Sequence, residues 1–271
     1  MKLAEAIKLL SKFPKNPSGV YDEIKVRWEL MREHATVARP LYKPIDFNEL
    51  IGEIEKYLQI DLHKFLAETA LFEIEERIIK AKKEISSSEV PFPIIHNGDP
   101  KLGRLCYAVC RAIKPVTFIE TGVAFGVSSS YILKALEVNK KGKLISIDKP
   151  PATPRATEFI GALIPDELRC NWHLYRGASQ KLLPKLLSEI KEVNIFLHDS
   201  RHTYNNMSAE FELVEPYLTD RSVLIADDIN RNIAFEESVS RTHPDFWGCS
   251  TEDSKESLFG ISIFAGKDRK P

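Results

Sequence analysis

From residue 100 onward the hydrophobic period switches repeatedly between two and 3.6, and few architectures accommodate that alternation. Apolar runs of strand length stand at Pro115–Ile119, Lys143–Asp148, Trp172–Tyr175, Asn194–His198 and Ser222–Asp227. Helical patterns separate them: Lys101–Ile113, then the stripe Tyr131, Ile132, Leu133 and Leu136, then Thr157–Ile164, Ser179–Ile190, Tyr204–Leu218 and Ile233–Val239. Two further strands fit Phe246–Ser250 and Leu258–Ala265. Strands joined through helices pair in parallel and are covered on both faces. The expected fold is therefore α/β, a doubly wound seven-stranded and mostly parallel sheet. Ligands in such sheets sit beyond the carboxyl ends of the strands. The residues there are Glu120, Asp148, Gly177, Asp199 and Asp227, and the pattern predicts that they converge.

Residues 1–90 read differently, as an N-terminal helical extension. Its stripes are Leu3, Ile7 and Leu10; Val20, Ile24, Trp28 and Met31; Leu50, Ile51, Ile54 and Leu58 after a cap at Asn48; and Leu62, Phe65, Leu66 and Phe72 after a cap at Asp61. They are expected to be packing faces, on an extension that covers a substrate site or builds a homodimer. Ser86–Pro93 reads as a linker, dividing the chain into 1–90 and 91–271.

Charge narrows the partners. The first 90 residues carry 15 basic and 16 acidic groups and the rest 23 of each, so neither part is a polyelectrolyte suited to nucleic acid. No apolar run approaches ~20 residues, so no membrane span is expected. Lys2, Glu5 and Lys8 interrupt the first residues where a secretion signal would be apolar. Cys106, Cys110, Cys170 and Cys249 lack the paired spacing of a zinc site and are read as buried reduced thiols, which points to the cytoplasm.

The first strand runs into Glu120, Thr121, Gly122, Gly126 and Ser128, the last a possible helix cap. Strand, glycine turn and helix together aim free amides and a helix dipole at whatever lies above. Two glycines four apart do not make the G-x-G-x-x-G of a nicotinamide oxidoreductase. The E-x-G-x-x-x-G turn instead resembles motif I of the class I S-adenosylmethionine-dependent methyltransferases, whose fold is Rossmann-like. Asp148, at the end of the second strand, then suits a ribose diol. Gly177-Ala-Ser-Gln180 resembles a segment of catechol O-methyltransferase, which implies that Ser179 and Gln180 contact adenine.

Asp199-Ser-Arg-His-Thr-Tyr204 resembles the D-x-x-H-x-Y motif of a family that includes sugar O-methyltransferases and enzymes called cephalosporin hydroxylases. Ala226-Asp-Asp228 resembles the end of strand five in catechol-type enzymes. The resemblance implies Mg²⁺ on Asp199, Asp227 and Asp228, with Asp199 also beside the cofactor and His202 as the base. One departure is visible: catechol-type enzymes read Phe-Leu-Asp where this chain reads Phe196-Leu-His-Asp199. The function implied is metal-assisted O-methylation of a small molecule such as a diol, a catechol or a sugar. The alternatives are a binding protein that keeps the cofactor pocket without chemistry, and a nicotinamide oxidoreductase.

Overall fold

A computed structural model of the chain describes residues 17–36, 40–86, 90, 99–150, 155–253 and 256–266. The Leu3, Ile7 and Leu10 stripe and most of the Ser86–Pro93 linker lie outside these residues. The strands are β1 (Thr117–Thr121), β2 (Lys143–Asp148), β3 (Trp172–Arg176), β4 (Val193–His198), β5 (Leu218–Ala226), β6 (Phe246–Thr251) and β7 (Leu258–Phe264). They form one sheet in the order β3-β2-β1-β4-β5-β7-β6. β1 to β5 run parallel, and β7 is antiparallel to both β5 and β6.

Register brings the carboxyl ends level. Thr121 pairs with His198 and with Ile147, Asp148 with Arg176, and His198 with Ala226. One edge of the sheet therefore carries the expected strand ends. The two-residue side-chain period sorts the core into two layers. Phe118, Leu144, Ile195, Leu197, Val223 and Ile225 point to one face. Ile119, Ile145, Phe196, Leu224 and Ala226 point to the other.

The helices are α1 (Pro17–Thr36), α2 (Phe47–Leu58), α3 (His63–Leu66), α4 (Thr69–Ser86), α5 (Pro100–Ile113), α6 (Val127–Asn139), α7 (Ala156–Phe159), α8 (Ser179–Ile190), α9 (Tyr204–Val214) and α10 (Ala234–Thr242). The first sheet face is covered by α2, α5 and α6, and the second by α8, α9 and α10. No helix among the described residues is long and apolar enough to cross a membrane.

Several boundaries differ from the sequence reading, each for a local reason. Asp46 rather than Asn48 caps α2, its carboxylate accepting from the Asn48 amide at 2.8 Å. The helix expected over Thr157–Ile164 stops at Phe159, because Gly161 takes φ +69° against the Trp172 ring. The helix expected to reach Leu218 ends at Val214, just ahead of Pro216. Cys106, Cys110 and Cys249 are buried free thiols as expected, whereas Cys170 is exposed.

The extension is not one unit. Residues before α2 run along the edge strand β6: the Ile45 amide donates to the Cys249 carbonyl at 3.0 Å, and Ser250 Oγ to the Ile45 carbonyl at 2.8 Å. Capping an edge this way removes a site for unwanted pairing. Phe47, Leu50, Ile51 and Ile54 then enter the same core as Phe259 and Ile261. Helix α1 behaves otherwise. Val20 is buried, but Ile24, Trp28 and Met31 face outward, so this stripe is not the packing face expected of it.

Candidate active site

The turn after β1 brings backbone segments to close range. Gly122 has φ +86° and Gly126 φ +90°. A Cβ on Gly122 would lie 1.9 Å from the Asp199 carbonyl, so only glycine lets the β1 and β4 loops touch. The Asp148 carboxylate closes the turn from β2, with Oδ2 accepting from the Val123 amide at 2.7 Å and the Ala124 amide at 3.0 Å. Burial raises its pKa, and the two amides pull it back. The residue expected at a ribose thus sits against the glycine turn. The Gly122 and Gly126 amides are likewise paired within the fold, to the Ile147 and Val123 carbonyls, so the carboxylate at this strand edge is the group a ribose diol would meet.

Four residues expected to touch cofactor, Glu120, Thr121, Ser128 and Ser179, are buried and hydrogen-bonded beneath the rim. Glu120 is fully buried, and its oxygens accept from Ser128 Oγ at 2.8 Å, Ser129 Oγ at 2.6 Å and Ser146 Oγ at 2.8 Å. Desolvation lifts its pKa to about 7 against the pull of those hydroxyls. Ser128 is therefore not the helix cap; Gly126 holds that position, and Ser128 ties α6 to β1. Thr121 is buried on the opposite face, donating from Oγ1 to Glu210 at 2.5 Å. Ser179 also turns its hydroxyl to Glu210, which accepts it, while Gln180 is exposed and reaches Asn206 Oδ1 at 3.3 Å.

Glu210 is the residue the sequence reading missed. Besides Thr121 and Ser179 it holds His198 Nδ1 at 2.6 Å, Ser200 Oγ at 2.8 Å and Asn206 Nδ2 at 3.0 Å. Burial would raise its pKa, but the neighbouring His198 and the hydroxyls of Ser179 and Thr121 outweigh that and hold the carboxyl below its ordinary value. A signal was present: Met207, Glu210, Phe211 and Val214 follow i, i+3, i+4, i+7 spacing, so a carboxylate occupies a core position of α9.

The departure at His198 is resolved by face. β4 runs through His198, whose side chain lies on the α9 side of the sheet with Glu210. Asp199 continues the ladder, its amide donating to the Thr121 carbonyl at 2.8 Å, and its side chain stays at the rim. There one ligand atom each from Asp199, His202 and Asp227 lie within 4.8 Å of one another. Two carboxylates and an imidazole form a donor set suited to a divalent cation. Asp228 stands outside this trio. It takes φ +53°, meets Ser257 Oγ and Arg231 Nε, and lies 3.4 Å from His202 Nε2. A carboxylate on one ring nitrogen fixes the orientation of a metal-binding histidine. The Asn232 side chain donates to the His202 carbonyl at 3.1 Å and holds the same loop.

Helix α1 reaches this edge. Glu33 Oε1 accepts from the Tyr204 amide at 2.9 Å, two residues past His202 and at the start of α9. Nothing in the composition of residues 1–90 signalled that contact.

Residues 119–229 match a family model described as a methyltransferase domain. No curated protein matches the chain significantly. The O-methyltransferase from Bacillus cereus in complex with SAH is similar in structure, with a TM-score of 0.54 at 12% identity over 80% of this chain and 97% of that one. The O-methyltransferase TomG from Streptomyces achromogenes, involved in tomaymycin synthesis and solved with SAM, gives 0.52 at 15% identity over 78% of this chain and 98% of that one. At these identities the likeness is one of fold. Sheet order, glycine turn and family match agree, and residues 119–229 carry a methyltransferase domain of the class I, S-adenosylmethionine-dependent fold.

Proposed function

We propose that the protein transfers a methyl group from S-adenosylmethionine to a hydroxyl of a small molecule, with help from a divalent cation. The observation that carries this reading is the convergence of Asp199, His202 and Asp227 on the edge where Asp148 closes the glycine turn. When bound, the cofactor supplies an electrophilic methyl and the cation a Lewis acid that lowers the acceptor hydroxyl's pKa. The chain's own part is alignment. Asp148, fixed against the glycine turn, would hold the nucleoside. Asp199, His202 and Asp227 would hold the cation beside the acceptor hydroxyl. Orientation of this kind is worth ~7 kcal/mol or more in an in-line displacement.

His202 acts here as a ligand rather than as the free base the sequence suggested, and Asp228 orients it. The imidazole shifts the preference from Mg²⁺ toward Mn²⁺, which binds nitrogen donors more readily. Helix α1, latched by Glu33, covers the acceptor side. A diol, a catechol or a sugar fits the site.

Calorimetry with S-adenosylhomocysteine, without metal and with Mg²⁺ or Mn²⁺, tests the reading, alongside transfer of a labelled methyl to a panel of diols and sugars. The expected outcome is nucleotide binding, tighter binding of Mn²⁺ than Mg²⁺, and loss of metal binding and of at least ~100-fold in transfer in Asp227→Ala. Nucleotide binding with no metal effect and no transfer identifies a binding protein instead. No nucleotide binding overturns the assignment.

A further inference from the structure

We propose that Glu210 is a positioning residue that locks the cofactor half of the rim to the cation half. The inference rests on the methyl-transfer reading of the site. Glu210 is fully buried on α9, below both halves and in contact with neither ligand position. Its donors come from separate segments. Thr121 ends β1 just before Gly122, and Ser179 opens α8 after the β3 loop; both belong to the nucleoside side. His198 and Ser200 flank Asp199, and Asn206 holds the following loop, its Nδ2 reaching Ser200 Oγ at 3.0 Å and the Arg201 carbonyl at 3.1 Å.

A buried carboxylate is costly unless it is fully hydrogen-bonded. A helix that only had to pack would carry an apolar side chain at this core position. Here the charge instead gathers five donors from the ends of β1 and β4, the start of α8 and the first turns of α9. Glutamine is isosteric but brings its own N–H₂ into a shell made of donors and has one acceptor oxygen to share. The loops then lose their common acceptor, and the separation between the nucleoside and the cation is no longer fixed.

The test compares wild type with Glu210→Gln, Ser179→Ala and, as a control, Glu68→Gln. Glu68 is likewise hydrogen-bonded, to Tyr107 at 2.5 Å and Arg111 at 2.7 Å, but it lies toward the opposite edge of the sheet. Calorimetry reads S-adenosylhomocysteine affinity, and hydrogen exchange reads the loops around 122–126, 177–180 and 199–203. Glu210→Gln is expected to weaken nucleotide binding about tenfold and to speed exchange in all three loops. Glu68→Gln is expected to lower the melting temperature without either effect. Ser179→Ala, which removes one donor, is expected to weaken binding by a smaller factor and covers the case in which Glu210→Gln does not fold. If wild type binds and both rim variants bind within about twofold of it, this inference is overturned and the functional reading stands. If wild type does not bind the nucleotide, both fall.

Discussion

Glu120 shows what a single buried carboxyl does to this protein. Its folded pKa of about 7 lies above the 4.5 of an ordinary glutamate, and burial is the main cause. Between those pH values the folded state holds a proton that the unfolded state has released, so stability falls as pH rises through the window. The size of the loss is on the order of 3 kcal/mol. Glu120→Gln cannot titrate. Wild type should therefore lose ground to the variant by roughly that amount between pH 4.5 and 8, measured by urea unfolding without cofactor. A constant difference would mean that the three serines keep Glu120 ionised throughout. Sequence alone placed Glu120 at the end of an apolar strand. It did not indicate that Ser128 and Ser129 are its partners, since a serine after a glycine turn reads equally well as a cap. Asp199 and Asp227 were legible because each ends a strand. Asp228 was not separable from them: one residue of turn, in the left-handed region, directs it to Ser257 and His202 instead.

At the level of elements, period and register explain why the sheet was readable and the extension was not. A two-residue period specifies which face each strand residue takes, and the level strand ends follow from parallel pairing. A helical stripe says only that something apolar lies opposite, not what it is. Leu50, Ile51 and Ile54 meet the sheet core, whereas Ile24, Trp28 and Met31 stay largely exposed, Trp28 with the Arg32 guanidinium over its ring. The contact that joins α1 to the site is polar. Glu33 accepts from the Tyr204 amide, and burial raises its pKa while that amide and the Asn205 amide pull it down. Glu33→Ala removes the acceptor of the first amide of α9, whose N-cap is Thr203, and should cost about 1 kcal/mol. Because α1 is read as the acceptor cover, kcat/KM for the acceptor should fall several-fold while S-adenosylhomocysteine affinity is kept. A parallel loss of nucleotide affinity would place α1 on the cofactor side instead.

For the whole molecule, the outward face of α1 is the feature that the described residues of a single chain do not account for. Tyr21, Ile24, Trp28 and Met31 follow 3-4-3 spacing, and they are 67%, 42%, 57% and 62% exposed. Scattered apolar side chains on a surface are ordinary, but an aligned seam on one helix is not. That spacing is the one by which two helices pair along a common seam. Val20, at the N-terminal end of the same stripe, is buried, and Glu33, on the opposite side, fixes the far end of the helix at the site, so the seam from Ile24 onward is held outward. A second copy of the chain meeting it through the same helix would bury the seam twice over, and would set the acceptor covers of two sites back to back. The full-length protein is accordingly expected to run as a dimer in light scattering at micromolar concentration. Trp28→Glu places a charge at the centre of the seam and should give a monomer whose melting temperature and nucleotide affinity match those of a wild-type sample diluted below its dissociation constant. A wild type that stays monomeric at high concentration would leave α1 with the acceptor cover as its one role.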